Sequence, residues 1–303
     1  MRLATFNVQN MRLRADHLDG ARDRDLPDDL GPAAGVLDDY DRRLTAGVLA
    51  QADADIVALQ EVFDQATLDH FHDRYLGPAG ATPYPYRECL PGNDGRGLDV
   101  AILSRIKPVA VISHADLTPR RAGLPVPDGF DADAPIFRRD CLEVTLPALT
   151  LFICHFKAPY PETGRTAQVR HLEALAMRQI IEARFADRDE ALWLLLGDLN
   201  EARRGQNNLA PLRGRFSVDL MARLPKSERW SYHGAQDDLY STPDAVFASP
   251  ALAARFPETC PRVIRVGMGY EADRHDGPRL DTVGTHRPHA SDHAAVVIDL
   301  PGL

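Results

Sequence analysis

Two short segments of this 303-residue chain are apolar at every consecutive position, Ile56-Val57-Ala58-Leu59 and Leu192-Trp193-Leu194-Leu195-Leu196, and each runs directly into polar residues. A strand that shows one face to a core alternates apolar with polar, whereas a strand apolar on both faces has to be covered on both. The chain must therefore build a layered domain. Further apolar runs between turn-rich segments predict strands at Leu3 to Asn7, Tyr84 to Cys89, Leu98 to Ser104, Val109 to His114, Phe137 to Thr145, Leu149 to Cys154, Ala245 to Ala248, Cys260 to Val266 and Ala294 to Asp299, a β-rich α/β pattern. Helices are predicted over Asp41 to Ala52 and Arg165 to Ala186. The second places Val169, Leu172, Ala176, Ile180 and Ala183 on one face as a core stripe.

Three stretches read as long loops. They are Arg14 to Gly35, Thr118 to Pro135, and Tyr270 to Ala290, which holds Glu271, Asp273, His275, Asp276, Asp281, His286 and His289. The last is expected to be a solvated surface loop, with a lid or a metal-binding patch as alternatives. No linker or internal repeat divides the chain, so one domain over residues 1–303 is expected. The start lacks a signal-peptide pattern, and no run approaches about 18 apolar residues, the length of a membrane span. Cys89, Cys141, Cys154 and Cys260 show no C-x-x-C spacing; reduced, buried thiols and a cytoplasmic setting are expected. A net charge of −9 argues against a protein that coats nucleic acid, though a local arginine cluster can still receive a phosphate.

The polar residues at the strand ends carry the chemistry. Glu61 follows Ile56 to Gln60 and offers the hard oxygen that Mg²⁺ or Mn²⁺ prefers. Beyond Leu196, Gly197 permits a tight turn into Asp198 and Asn200, one carboxylate and one carboxamide suited to taking a proton from water and holding a phosphoryl oxygen. The plainer alternative is a turn in which both bond their own backbone. His155 and Lys157 stand at the end of Leu149 to Cys154. His293 precedes the last strand beside Asp292, and Asp244 is the carboxylate proposed to orient its ring. An Asp and His pair without a serine partner makes serine-hydrolase chemistry the weaker reading.

Taken in order, Asn7, Gln60-Glu61, His155-Phe156-Lys157, Gly197-Asp198-Leu199-Asn200, Asp244 and Ser291-Asp292-His293 resemble the endonuclease/exonuclease/phosphatase superfamily, as do Leu98 to Arg105, Phe137-Arg138-Arg139 and Trp230-Ser231-Tyr232. The resemblance implies a four-layered α/β sandwich with two central, mainly antiparallel β-sheets flanked by helices. It implies a metal, Mg²⁺ or Mn²⁺, on Glu61 with Asn7 and Asp292 helping; Asp198 as the base for water; Asn200, His155 and His293, the last oriented by Asp244, at the scissile phosphate; and Arg138, Arg139 and Lys157 for substrate binding. Gln9 departs from the pattern of some DNA-repair members, and Ala245 follows Asp244 where tyrosine or histidine is usual, leaving the aspartate itself intact. The expected substrate is a phosphate ester, with nucleic acid favoured over a small or lipid headgroup phosphate. A catalytically silent binding module is the non-enzyme alternative. No obligate protein partner is evident, and a monomer is expected.

Overall fold

The computed structural model describes residues 1–23, 26–160, 163–187, 189–201 and 207–303. Twelve strands within these residues form two six-stranded sheets. In chain order they are β1 (Arg2–Met11), β2 (Ile56–Val62), β3 (Tyr86–Cys89), β4 (Asp99–Ser104), β5 (Ala110–Ser113), β6 (Cys141–Thr145), β7 (Thr150–His155), β8 (Trp193–Asp198), β9 (Val218–Asp219), β10 (Asp244–Ala248), β11 (Arg262–Ile264) and β12 (Ala295–Asp299). The first sheet runs β11-β12-β1-β2-β4-β3 and the second β9-β10-β8-β7-β6-β5. In each, one central pair is parallel, β1 with β2 and β7 with β8, and the other neighbours are antiparallel.

The consecutive apolar runs are explained by what lies on either side. Leu3, Ile56, Ala58, Ile153, Leu194, Leu196 and Val246 meet in a core between the sheets. The alternate positions Ala4, Phe6, Val57 and Leu59 pack outward with the helix Asp38–Ala52. Phe152, Cys154 and Leu195 pack outward with the helix Gly164–Arg184, which a Thr163/Thr166 capping box starts. The result is the four-layered sandwich implied by the resemblance. Carried two residues further, the alternation turns Asn7, Gln60, His155, Asp198 and Asp244 inward at the sheet edge.

Several expectations need correction. The strand expected over Phe137 to Thr145 begins at Cys141, because Arg139 O accepts from Asn93 N (3.1 Å) and Arg138 N donates to Glu173 Oε1 (3.0 Å), leaving these groups out of the ladder. Pro261 offers no N–H to a strand, and only Arg262–Ile264 pairs of Cys260 to Val266. Ala183 lies exposed near the helix end, and Cys260 is exposed while the other three free thiols are buried. Arg14 to Gly35 contains a short helix, Pro27–Leu30; its Arg24 and Asp25 lie outside the described residues. Tyr270 to Ala290 is a solvated loop only in part, with Tyr270, Asp273, Arg274, Asp276 and Asp281 exposed. Ala272, Arg287, His289 and Ala290 are buried, and the Arg287 guanidinium is bound by Asp38 (2.9 Å) and Asp41.

Candidate active site

The first sheet delivers its polar residues by breaking its own regularity. Register slips between Gln60 and Val62 of β2, and between Asn7 and Met11 of β1. Glu61 (φ 67°), Gln9 (φ 48°) and Asn10 (φ 54°) sit in the left-handed region at these bulges. A bulge re-aims a side chain that plain alternation would send elsewhere. Glu61 is thereby brought back to the edge, where its Oε2 accepts from Asn10 N (2.8 Å).

The second sheet uses register instead. Asp198 lies opposite His155 on one side and Asp244 on the other, so three strands present titratable groups in one row. Gly197 makes the row close. Its φ is 138°, and a Cβ there would stand 1.9 Å from Cys154 O. Gly197→Ala is expected to cost about 3 kcal/mol or more, read as a lowered urea midpoint, since backbone on neighbouring strands cannot yield as a side chain tip can.

Asn7 joins the two sheets. Its Nδ2 donates to Asp198 Oδ2 (3.1 Å) and lies 3.4 Å from Glu61 Oε1, while its Oδ1 accepts from Gln9 N (3.0 Å). The amide oxygen is thus engaged and the amide nitrogen faces the carboxylates. In this arrangement Asn7 enters the site as a donor that holds two acids. Asp198 Oδ2 also has His155 Nε2 at 3.4 Å and His293 Nε2 at 3.7 Å. Asp198 Oδ1 accepts from Asn200 N (3.0 Å), a bond within the turn, while Asn200 Nδ2 reaches across to Phe156 O (3.1 Å) after β7, and both residues line the site. His293 Nδ1 is 2.8 Å from Asp244 Oδ2, which also accepts from Ser231 Oγ (2.6 Å). The sequence spacing places Asp292 and His293 on opposite faces, yet both line one cavity, because the chain enters β12 there through Ser291 rather than as extended strand.

The electrostatics divide the two histidines. Burial opposes a charge on His293, but Asp244, Asp198 and Asp292 outweigh it and raise its pKa to about 10. His155, fully buried beside Arg139 and His293, is held well below the ordinary histidine value and is neutral. Burial, with Asp244 and Glu61 adding to it, raises Asp198 to about 6 against the opposing pull of His293. Burial, helped by Glu61 and Asp23, raises Asp292 to about 7.

These groups line a cavity of about 370 Å³, together with Arg22, Arg96, Tyr160 and Tyr232; Asp244 stands behind His293. Arg138, Arg139 and Lys157 are not on its wall. Arg138 is exposed. Arg139 is buried, with its Nη1 on Phe156 O (3.0 Å) and its Nε 3.2 Å from Asp94. Lys157 Nζ donates to Ala158 O (3.0 Å) and Tyr160 O (3.2 Å). The cations that do face the cavity were missed. Arg96 comes from the turn Gly92 to Gly97, and Arg22 from the loop after β1; neither has a periodicity to mark it.

Residues 4–293 match the family of endonucleases, exonucleases and phosphatases, and the chain belongs to it. Members of this family are phosphoesterase hydrolases that typically use divalent metals. The fold is shared with a D. rerio TDP2 humanized by 14 mutations, at 18% identity and TM-score 0.58 over 99% of each chain. It is shared with a family protein from Leptotrichia buccalis (17%, 0.57, 99% of each). A mannosyl-6-phosphatase from Bacteroides thetaiotaomicron is also similar, at 14% identity and TM-score 0.59 over 99% of this chain and 98% of the other. No curated protein sequence matches it.

Proposed function

We propose that this protein is a divalent-metal-dependent phosphodiesterase of nuclease type, a single domain over residues 1–303, in which Asp198 takes a proton from the attacking water. The observation that carries this is the convergence of Asn7, His155 and His293 on one oxygen of Asp198, at the wall of a cavity that also holds Glu61 and Asp292. Water attacks phosphorus, its proton passes to Asp198, the ester P–O bond breaks, and the His293 imidazolium donates to the leaving oxygen. His155 and Asn200 hold phosphoryl oxygens, and Asp244 with Ser231 keeps the His293 ring in place. Donor chemistry supports a metal at Glu61 and Asp292. Glu61 adds to the effect of burial in raising the pKa of both Asp198 and Asp292, a sign of unbalanced negative charge that a hard dication neutralises. Mg²⁺ or Mn²⁺ bound there supplies charge stabilisation at the phosphate.

A small phosphate monoester or lipid headgroup is the second reading, favoured by one feature. Among the described residues, the positive groups on the cavity wall are Arg22, Arg96 and His293, and both arginines are already paired, with Asp38 and with Asp94 (2.9 Å). About three phosphate contacts give a log-log salt slope near −3 on duplex DNA, far shallower than a protein that coats it. Binding of the Asp198→Asn protein to a short duplex across salt concentrations measures this. Turnover of DNA, RNA, bis-p-nitrophenyl phosphate, p-nitrophenyl phosphate, inositol phosphates and sphingomyelin with Mg²⁺ or Mn²⁺ tests the whole reading. Diesters turned over well above monoesters support the nuclease-type assignment; monoesters alone overturn it, and no turnover of any favours a silent binding module. The buried thiols support a reducing, cytoplasmic setting, and a monomer is proposed. Among the described residues no helix is long and apolar enough to cross a membrane.

A further inference from the structure

Beside the catalytic cavity lies a second, much smaller one of about 10 Å³, walled by Glu271, His286 and His289 and sharing Gln9, Asp23 and Asp292 with its larger neighbour. That is room for one water-sized guest. One ring nitrogen of each histidine and one Glu271 oxygen lie within 4.8 Å of one another. Each therefore has to move by less than about 1 Å to reach the 2.0–2.2 Å of a zinc bond.

The far sides of both rings are arranged as they are in metal centres. His289 Nε2 is 2.8 Å from Ala21 O, a bond that places the proton on Nε2 and leaves Nδ1 with its lone pair. His289 is 3% exposed, and no hydrogen bond to its Nδ1 is made among the described residues. His286 Nε2 is 3.0 Å from Asp29 Oδ2, while its Nδ1 faces Glu271 Oε1 at 2.7 Å. A ligating histidine characteristically donates its other N–H to a carboxylate or a backbone carbonyl, and here one histidine has each. The backbone beneath is held as well: Glu271 N donates to Thr285 O (2.9 Å), Tyr270 N to Gly284 O (2.9 Å) and Ala290 N to Gly267 O (2.7 Å).

We propose that Glu271, His286 and His289 form a second cation site, separate from the catalytic one and selective for a zinc-type dication, that pins the Tyr270 to Ala290 segment against the loop after β1. Two imidazoles and a carboxylate suit Zn²⁺ and are poor ligands for Mg²⁺, which prefers oxygen and water. The nearby acids Glu271 and Asp29 balance the two positive charges. Without a cation, those two acids hold a proton on His286 instead, keeping its pKa at about 10 against the effect of burial. Binding therefore forms bonds to Nδ1 of both rings and to a Glu271 oxygen, and releases the His286 proton to solvent.

Full-length protein stripped by chelator and returned to millimolar Mg²⁺, which occupies the catalytic carboxylates, is titrated with Zn²⁺, desalted and assayed for metal; Co²⁺ in place of Zn²⁺ is followed by visible absorption. Wild type and Glu61→Gln are expected to retain a single Zn²⁺ per chain and to give the intense bands of low-coordinate Co²⁺. Glu271→Gln and His286→Gln are expected to weaken Zn²⁺ binding at least about 100-fold, by loss of a ligand. Glu271→Gln, isosteric and only partly buried, keeps the test readable should His286→Gln misfold, with circular dichroism reporting the fold. Retention of Zn²⁺ by Glu271→Gln as tightly as by wild type overturns the proposal, as does a wild type that retains none.

Discussion

Asp198→Asn is expected to lower turnover by about 10² to 10⁴-fold on the best substrate while leaving the fold intact. Asparagine keeps an oxygen for the Asn200 N–H and so preserves the turn after β8. What it loses is the capacity to accept a proton. Its new amide nitrogen also confronts the donors Asn7 Nδ2 and His293 Nε2 that now converge on a carboxylate oxygen. His293→Ala is expected to cost a similar factor, and the double variant little more than either, because base and donor act on one proton-transfer sequence. Steady-state kinetics on purified protein decides this: a folded Asp198→Asn enzyme within about tenfold of wild type would remove Asp198 from the role of base.

Chelation is expected to have the larger effect. Excess EDTA should abolish measurable hydrolysis, a loss of roughly 10³-fold or more, since a Lewis-acidic dication stabilises transition-state charge by several kcal/mol. Mg²⁺ or Mn²⁺ added back should restore it. Glu61→Gln should shift the metal requirement to higher concentration, because the substitution removes the charge while leaving an oxygen that can still accept the Asn10 N–H (2.8 Å). Hydrolysis that continues in excess EDTA would refute the metal-dependent mechanism.

Much of this architecture is legible in the sequence because it depends on period-two alternation. The consecutive apolar positions of Ile56 to Leu59 foretell a strand covered twice, and the structure supplies a second sheet on one face and a helix on the other. The same alternation brings His155, Asp198 and Asp244 to one edge. What escapes it is whatever depends on broken periodicity. The bulge at Glu61 and the orientation of the Asn7 amide are decided by contacts between distant segments. Arg138 and Arg139 draw attention as a basic pair beside a family motif, but the backbone around them is diverted by Asn93 and Glu173, and one side chain ends outside the fold and the other inside it. Arg96 is placed in the cavity by a glycine-rich turn with no repeating pattern. The segment Tyr270 to Ala290 is polar enough to suggest solvent, and Asp273, Arg274, Asp276 and Asp281 are exposed, yet His286 and Arg287 are turned inward against Asp29, Asp38 and Asp41.

The position of β12 between β11 and β1 has a consequence for the newly made chain. β1, made before the other strands of the two sheets, waits for β12, made after them, since Arg2 to Thr5 pair with Asp299 to Val296. Asp292 and His293 arrive with that late strand, after every other residue at the cavity has been synthesised. A nascent chain therefore carries Asp198 and Glu61 before it carries the His293 ring that stands with them at the cavity. The wall of the cavity is complete only once β12 has inserted beside β1.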